Sequence, residues 1–156
     1  MDLILRIQRI LKELIKNIKK TTMKKIYVSG NGNVSWENFH QFYVEPLKKL
    51  NLSECEFIIG DFSGTDTLMM EFLKDKSENV TILHVGRRPR YFANTFKTKA
   101  EKWKIKGGFI SDSERDNYAI SNCTHFLAFD FNSDERRKSG TTKNIEKCLK
   151  LDKIKI

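Results

Sequence analysis

The stretch KIYVSGNGN, residues 25–33, decides the fold class of this chain. Its first five residues are rich in β-branched and aromatic side chains and predict a β-strand, and Gly30 and Gly32 predict a tight turn where the strand ends. A longer pattern with helical spacing, Trp36–Leu50, follows that turn. A strand that leads through a glycine turn into a helix is a building unit of α/β folds.

The same alternation of strand and helix continues along the chain. Short apolar runs predict the later strands: Glu56–Ile59, Val80–Val85, a weaker Lys106–Ile110, and His125–Phe129. Helical spacing predicts the later helices: Thr65–Lys76, Ala93–Trp103, Ser113–Asn122 and Thr142–Leu151. Strands that are separated by helices pair in parallel through right-handed crossovers. We therefore predict a Rossmann-like, doubly wound α/β fold, with helices on both faces of a mainly parallel sheet of about five strands.

Residues 2–19 carry Leu and Ile at steps of three and four, with Lys and Arg mostly between them. This spacing predicts an amphipathic helix. We divide the chain into this helix, residues 1–22, and a Rossmann-type domain, residues 23–156. The apolar stripe has three candidate environments: its own domain, a second copy of the chain, or an acidic membrane surface. Because a lone domain rarely leaves such a stripe exposed, we expect a homodimer.

The composition fits one ordinary domain and excludes several classes of protein. The 156 residues are 39% hydrophobic and 31% charged. No apolar run approaches the ~20 residues that cross a bilayer, and residues 2–19 lack the cleavage site of a signal peptide, so we expect a cytoplasmic protein without a membrane span. Cys55, Cys123 and Cys148 form no C-x-x-C pair, and no His is spaced as a metal partner. We therefore expect no disulfide framework and no metal site, and no dinucleotide fingerprint or Walker lysine indicates a cofactor.

The net charge of +9 is concentrated in two segments. Residues 1–25 hold eight Lys or Arg against two Asp or Glu, and residues 87–106 hold eight against one. In the second segment, the cations alternate with Tyr91, Phe92, Phe96 and Trp103. Cations interleaved with aromatic rings suit single-stranded nucleic acids. The spacing of these rings also fits the core side of an amphipathic helix, so nucleic-acid binding is an alternative and not the preferred prediction.

Small and polar residues follow three of the predicted strands. Ligands of open parallel sheets bind outside the carboxyl ends of the strands, where glycine turns and helix N-termini offer main-chain amides to a phosphate. The candidate ligand-binding residues in these loops are Ser29, Gly30, Asn31, Gly32, Gly60, Ser63, Gly64, Thr65, Asp66, Asp130, Ser139, Gly140, Thr141 and Thr142. Asp66 has two interpretations: a helix cap, or a carboxylate that holds ribose hydroxyls or a base edge.

In this order, the loops resemble the SLOG superfamily of Rossmann-like domains, and most closely its YspA-like branch. The resemblance is carried by Gly30, by residues 60–66 (GDFSGTD), by residues 103–107 (WKIKG) and by residues 139–141 (SGT). Arg115-Asp116 stands where the family pattern has Arg-Asn. The superfamily includes cytokinin-activating LOG phosphoribohydrolases, nucleoside deoxyribosyltransferases and the DNA-processing DprA domain. The resemblance spans about residues 25–150 and implies a pocket for a nucleotide, nucleoside or ADP-ribose-like ligand.

Arg115 is a further candidate that the resemblance supplies. It would be the fixed cation of the pocket, because its planar guanidinium suits a phosphate or a carboxylate. The alternative is a surface ion pair with Asp112 or Asp116.

The resemblance breaks at one position that matters for chemistry. LOG-type hydrolases and deoxyribosyltransferases cleave an N-glycosidic bond with the Glu of a G-T-x-x-E motif, and this chain has Asn144 there. Asn is uncharged and a poor nucleophile. We therefore expect ligand binding. The alternative is an N-glycosidase or phosphoribohydrolase of nucleoside monophosphates, in which Asp66 or Asp130 supplies the catalytic carboxylate.

Overall fold

The computed structural model describes residues 2–156, apart from the side chains of residues 20 and 21. Its centre is a six-stranded sheet in which all neighbouring strands are parallel. The strands are β1 (Lys24–Gly30), β2 (Cys55–Ile59), β3 (Val80–Val85), β4 (Lys104–Phe109), β5 (His125–Phe129) and β6 (Ile154–Lys155). The Rossmann-like prediction is confirmed. The sequence did not predict β6, because two residues are too few to show a periodic pattern.

Six α-helices accompany the sheet within the described residues. They are α1 (Leu3–Thr22), α2 (Trp36–Phe39), α3 (Glu45–Lys48), α4 (Thr65–Leu73), α5 (Asp112–Asn122) and α6 (Gly140–Lys150). Serine side chains cap three of them: the Oγ atoms of Ser35, Ser111 and Ser139 each accept an N–H group from three residues further on. Such caps satisfy amides that have no partner inside the helix.

A π-helical turn, His40–Val44, joins α2 to α3. The predicted helix over residues 36–50 is therefore nearly continuous but not regular. Tyr43 lies in this turn and is fully buried. Its hydroxyl donates to the carbonyl of Ser29 (2.8 Å) and accepts the N–H of Phe129 (2.9 Å). The turn thus connects the ends of β1 and β5.

The helices cover both faces of the sheet, as predicted. Alternate residues of a strand point to opposite faces. The larger core cluster joins Ile26 and Val28 of β1 to α2, α3 and α4, and the smaller cluster joins Tyr27 to α5 and α6.

The strand order β4-β3-β2-β1-β5-β6 places a crossing point beside β1. From β1 the chain moves outward through β2 to β4, and it then returns to the other side of β1 to form β5 and β6. The segments that follow β1 and β5 lead to helices on opposite faces of the sheet. A crevice opens at the carboxyl ends of two strands whose connections diverge in this way.

Residues 93–103 do not form the predicted α-helix. The segment is irregular up to a 3-10 turn, Lys99–Lys102. Asn94 Oδ1 accepts the N–H of Phe96 (2.9 Å), and Lys97 has a φ of 55°, which is outside the right-handed helical region. An Asn side chain that bonds the nearby main chain competes with helix formation.

The aromatic spacing in this segment comes from core contacts instead of a helix face. Trp103 is buried, its indole N–H donates to the carbonyl of Ser77 (2.7 Å), and its ring packs edge-on against Phe92. Phe96, by contrast, is 74% exposed. The rings are therefore not one stacking surface for nucleic acid.

The helix α1 does not pack against the domain. Every described side chain in Leu3–Thr22 is exposed, including the Leu and Ile residues. Of the three environments predicted for its apolar stripe, the first, its own domain, is therefore wrong. None of the helices within residues 2–156 is both long and apolar enough to cross a membrane.

The contacts of Trp103 predict that Trp103→Ala lowers the free energy of unfolding by about 3–5 kcal/mol, because the substitution leaves a cavity and an unpaired carbonyl. Urea denaturation measures this loss. The matched control is Phe96→Ala, which removes an exposed ring from the same segment and is expected to change stability by less than about 0.5 kcal/mol. Equal losses for the two variants would contradict the packing described above.

Candidate functional site

A cavity of about 350 Å³ lies at the carboxyl ends of β1 and β5. Its lining includes candidate residues from all three predicted loops: Ser29, Gly30, Asn31, Gly32, Asp66, Ser139, Gly140 and Thr141, together with Arg115. Gly30, Asp66 and Gly140, which are far apart in the sequence, border the same space. The remaining candidates, Gly60, Ser63, Gly64, Thr65, Asp130 and Thr142, are not part of the lining.

Gly64 and Thr65 hold the loop after β2 against the loop after β1. Gly64 has a φ of 78°, a conformation that favours glycine, and a Cβ atom there would collide with the main chain of Gly32. The N–H and Oγ1 groups of Thr65 both donate to the carbonyl of Asn31, at 3.2 and 3.0 Å. Gly30 has no room for a side chain, because a Cβ atom would meet Thr65. Gly64 and Thr65 therefore shape the cavity from behind its lining.

Asn31 connects the same turn to the loop after β5. Its Nδ2 donates to Asp130 Oδ1 (2.8 Å), and its Oδ1 accepts the N–H of Phe131 (2.8 Å). The other carboxylate oxygen of Asp130 accepts from Thr142 Oγ1 (2.6 Å) and from the N–H of Ser133 (3.1 Å). Partial burial raises the pKa of Asp130, but the hydrogen bonds outweigh this effect and hold it well below its usual range. Asp130 therefore braces two loops and does not face the cavity.

Arg115 contributes to the cavity wall with its guanidinium bound by carboxylates. Its Nη1 donates to Asp61 (2.8 Å) and Asp112 (2.9 Å), and its Nη2 donates to Asp116 (2.9 Å). Arg90 donates to Asp61 and Asp112 from the other side. Arg115 is only 5% exposed. Arg115 therefore pairs with Asp112 and Asp116, the partners named in the alternative, but the guanidinium is buried among carboxylates and does not lie at the surface.

Asp66, in the first turn of α4, supplies a buried carboxyl group to the cavity wall. Its Oδ2 accepts the N–H of Phe62 (3.1 Å). Burial raises the pKa of Asp66 to about 7, although the charge of Arg115 and the Phe62 N–H act in the opposite direction. A carboxyl group of this kind exchanges its proton near neutral pH, which is typical of groups that take part in acid–base chemistry.

Asn144 also lines the cavity, at the position where the resemblance implies Glu. Its Nδ2 lies 3.1 Å from Asp116 Oδ2 and 3.3 Å from Ser29 Oγ. It also approaches the hydroxyl of Tyr27 (3.4 Å). Asp116 is therefore the acid beside position 144, and Asn144 is the amide that donates to it.

The N-terminus of α6 also lines the cavity. The first main-chain bond of this helix joins the N–H of Lys143 to the carbonyl of Ser139 (3.2 Å), and Ser139 Oγ accepts the N–H of Thr142 (3.2 Å). The amides of Gly140 and Thr141 precede these bonds and are the donors left for a ligand. Arg137, two residues before Ser139, also lines the cavity.

The sequence prediction missed several residues of the lining: Tyr27, Phe62, Asp112, Asp116, Asn132, Arg137 and Asn144. Tyr27 shares a face of β1 with Ser29, so the two-residue period of a strand was a signal for it. Asp116 is adjacent to the predicted Arg115, and Asn144 lies in the motif that carried the prediction. For Arg137 and Asn132, which lie in the irregular loop after β5, no local pattern was available.

The raised pKa of Asp66 predicts a specific pH dependence of stability. An unfolded Asp has a pKa of about 4, so the folded chain binds the extra proton between about pH 4 and the folded value of about 7. The stability linked to this proton is present at low pH and is lost as the pH rises through 7. Between about pH 4 and pH 8, the free energy of unfolding of the wild type should fall by up to about 4 kcal/mol more than that of Asp66→Asn, as measured by urea denaturation.

Asp75→Asn is the matched control for this prediction, because Asp75 is exposed just beyond the other end of α4. The stability of Asp75→Asn should change with pH in the same way as the stability of the wild type. Parallel profiles for the wild type and Asp66→Asn would show that the buried carboxyl does not titrate as described.

In comparisons with known proteins, the chain matches no family model, no curated protein and no solved structure. The function is therefore inferred from the cavity itself. Its lining combines the free amides of a helix N-terminus and a cation with carboxyl, hydroxyl and amide side chains.

Proposed function

We propose that the protein binds a nucleotide or a nucleotide-like ligand, such as a nucleoside phosphate or an ADP-ribose fragment, in the cavity between β1 and β5. The observation that carries the proposal is that a helix N-terminus and several carboxyl and hydroxyl groups line the same cavity. The order of loops that resembles SLOG domains supports the same proposal.

The phosphate would bind at the N-terminus of α6. The free amides of Gly140 and Thr141 lie at the positive end of the helix dipole, which attracts an anion. Arg137 adds a full positive charge at the same end of the cavity. Unlike Arg115, it has no ion pair with a carboxylate among the described residues.

The ribose and the base would bind toward the carboxyl and hydroxyl groups of the lining. Asp66 and Asp116 are suited to accept hydrogen bonds from ribose hydroxyls, and Ser29 Oγ and Tyr27 OH of β1 add further polar groups. Phe62 is 44% exposed at the rim of the cavity. An exposed aromatic ring is a stacking surface for a base.

The size of the cavity favours a small member of this ligand class. Ligand cavities range from about 300 to 1,000 Å³, and this one measures about 350 Å³. A mononucleotide is therefore better matched than a dinucleotide, of which one half would extend into solvent.

The proposal predicts micromolar binding of at least one nucleoside monophosphate, measured by isothermal titration calorimetry against a panel that pairs each monophosphate with its nucleoside. Arg137→Ala should weaken binding of the monophosphate by about tenfold, because it removes one charge-assisted hydrogen bond. It should leave the affinity for the matching nucleoside unchanged. The control is Arg136→Ala, an equally exposed neighbour that does not line the cavity. No heat with any member of the panel would contradict the proposal.

A second candidate function is hydrolysis of the N-glycosidic bond in the bound ligand. The observation that favours it is the pair of carboxyl groups that line one cavity. Asp116 is fixed by Arg115 and is suited to stabilise the oxocarbenium-like sugar, and Asp66 holds a proton near neutral pH that it can donate to the departing base. Water then adds to the sugar and returns a proton to the Asp66 carboxylate, so that the products are free base and ribose phosphate. This assignment uses Asp66, as expected from the sequence, but replaces Asp130 with Asp116.

Chromatographic measurement of free base tests this activity on the monophosphates that bind. Asp66→Asn and Asp116→Asn should each reduce the rate by about 100-fold or more, while Asp75→Asn retains it. No release of base by the wild type from a ligand that binds would remove this candidate and leave the binding proposal in place.

A further inference from the structure

The helix α1 leaves a broad apolar surface uncovered. With 3.6 residues per turn, most of its Leu and Ile residues fall on one arc of roughly 140°. Those within residues 3–15 are 48–68% exposed: Leu3, Ile4, Ile7, Ile10, Leu11, Leu14 and Ile15. Side-chain exposures of this size are expected for a helix without tertiary contacts. Contiguous apolar surface of this kind marks a site of interaction with a partner or a membrane.

The opposite face of α1 is strongly cationic. Its exposed charged side chains are Arg6, Arg9, Lys12, Lys16 and Lys19, against the single carboxylate Glu13. Lys24 and Lys25 continue the positive charge into the start of β1, and both are exposed. The surface therefore combines an apolar arc with a net positive charge, and an occupant must satisfy both.

A second copy of α1 satisfies neither property well. The seam between two paired helices covers positions at steps of three and four, here Ile4, Ile7, Leu11 and Leu14, and leaves Ile10 and Ile15 at its edges. Paired helices also gain from opposite charges beside the seam. The positions that flank this seam, Gln8, Ile10, Ile15 and Asn17, carry no charge. Two copies of α1 therefore gain no ion pair beside the seam, and the cationic face on the far side of each helix stays without a partner.

We propose that α1 lies flat on the surface of an anionic lipid bilayer. The acyl region receives the whole apolar arc, and the negatively charged headgroups face the Lys and Arg side chains. The helix is long enough for this role but too polar to cross the membrane. This proposal is independent of the proposed function of the cavity, and it replaces the expectation that α1 forms a homodimer.

Sedimentation with sucrose-loaded vesicles tests the proposal on the full chain. We expect the partition coefficient to be at least about tenfold higher for vesicles of phosphatidylcholine with about 30% phosphatidylserine than for pure phosphatidylcholine. Added salt should weaken this binding, because it screens the headgroup charge. Equal partitioning into the two kinds of vesicle, or no partitioning into either, would overturn the proposal.

Two matched variants test the orientation of the helix. Leu11 lies in the apolar arc, whereas Leu5 is 56% exposed on the polar side of the same helix. Leu11→Gln should lower the partition coefficient by about tenfold, and Leu5→Gln should leave it nearly unchanged. Gln is a good helix former, so both variants retain the helix. An equal loss for the two variants would contradict the proposed orientation.

Light scattering of the same proteins separates membrane binding from helix pairing. The wild type and Leu11→Gln should both have the mass of one chain in the absence of vesicles. A wild-type mass of two or more chains that Leu11→Gln reduces to one would overturn the proposal in favour of a second copy. Unchanged urea midpoints for both variants would show that the domain is intact, since α1 does not pack against it.

Discussion

Asn31 is the residue on which the shape of the cavity depends. Its carbonyl accepts both donors of Thr65, and its side-chain amide bonds the loop after β5 through Asp130 and Phe131. One residue thus joins the loops that follow β1, β2 and β5. Asn31 is only 5% exposed, so these bonds are shielded from competing water. The glycines on either side of it allow the turns to approach closely enough for the bonds to form.

The charges around the cavity explain why an amide occupies position 144. Asp116 Oδ2 lies 3.1 Å from Asn144 Nδ2, and Arg115 neutralises Asp116 from the other side. A Glu at position 144 would bring a second carboxylate against Asp116, and two like charges at that distance cannot both ionise without a large cost. Asn144 instead donates a hydrogen bond. The resemblance implied an Asn after Arg115 and a Glu in α6, and this chain has the acid and the amide in the exchanged positions.

The sequence was sufficient for the parallel sheet and for the three loops at its carboxyl edge, because short apolar runs and glycine turns are local signals. It was not sufficient for the roles within the loops. Gly64 and Thr65 read as ligand contacts, but their bonds are to the neighbouring turn. The spacing of Phe92, Phe96 and Trp103 predicted a helix over residues 93–103. That spacing carries no information about the buried contact between Trp103 and Ser77. Arg115 and Asp116 show the same limit, since burial among acids is a tertiary property.

The short connection between α1 and β1 attaches the helix to the end of the central strand that lies away from the cavity. Met23 alone separates the helix from the central strand, and the helix meets that strand at its amino end. The cavity lies at the carboxyl end of the same strand, about 20 Å further on, given about 3.3 Å per strand residue. A partner held where the helix joins β1 is therefore separated from the cavity by the length of that strand, and small molecules can enter and leave the cavity without crossing the joint.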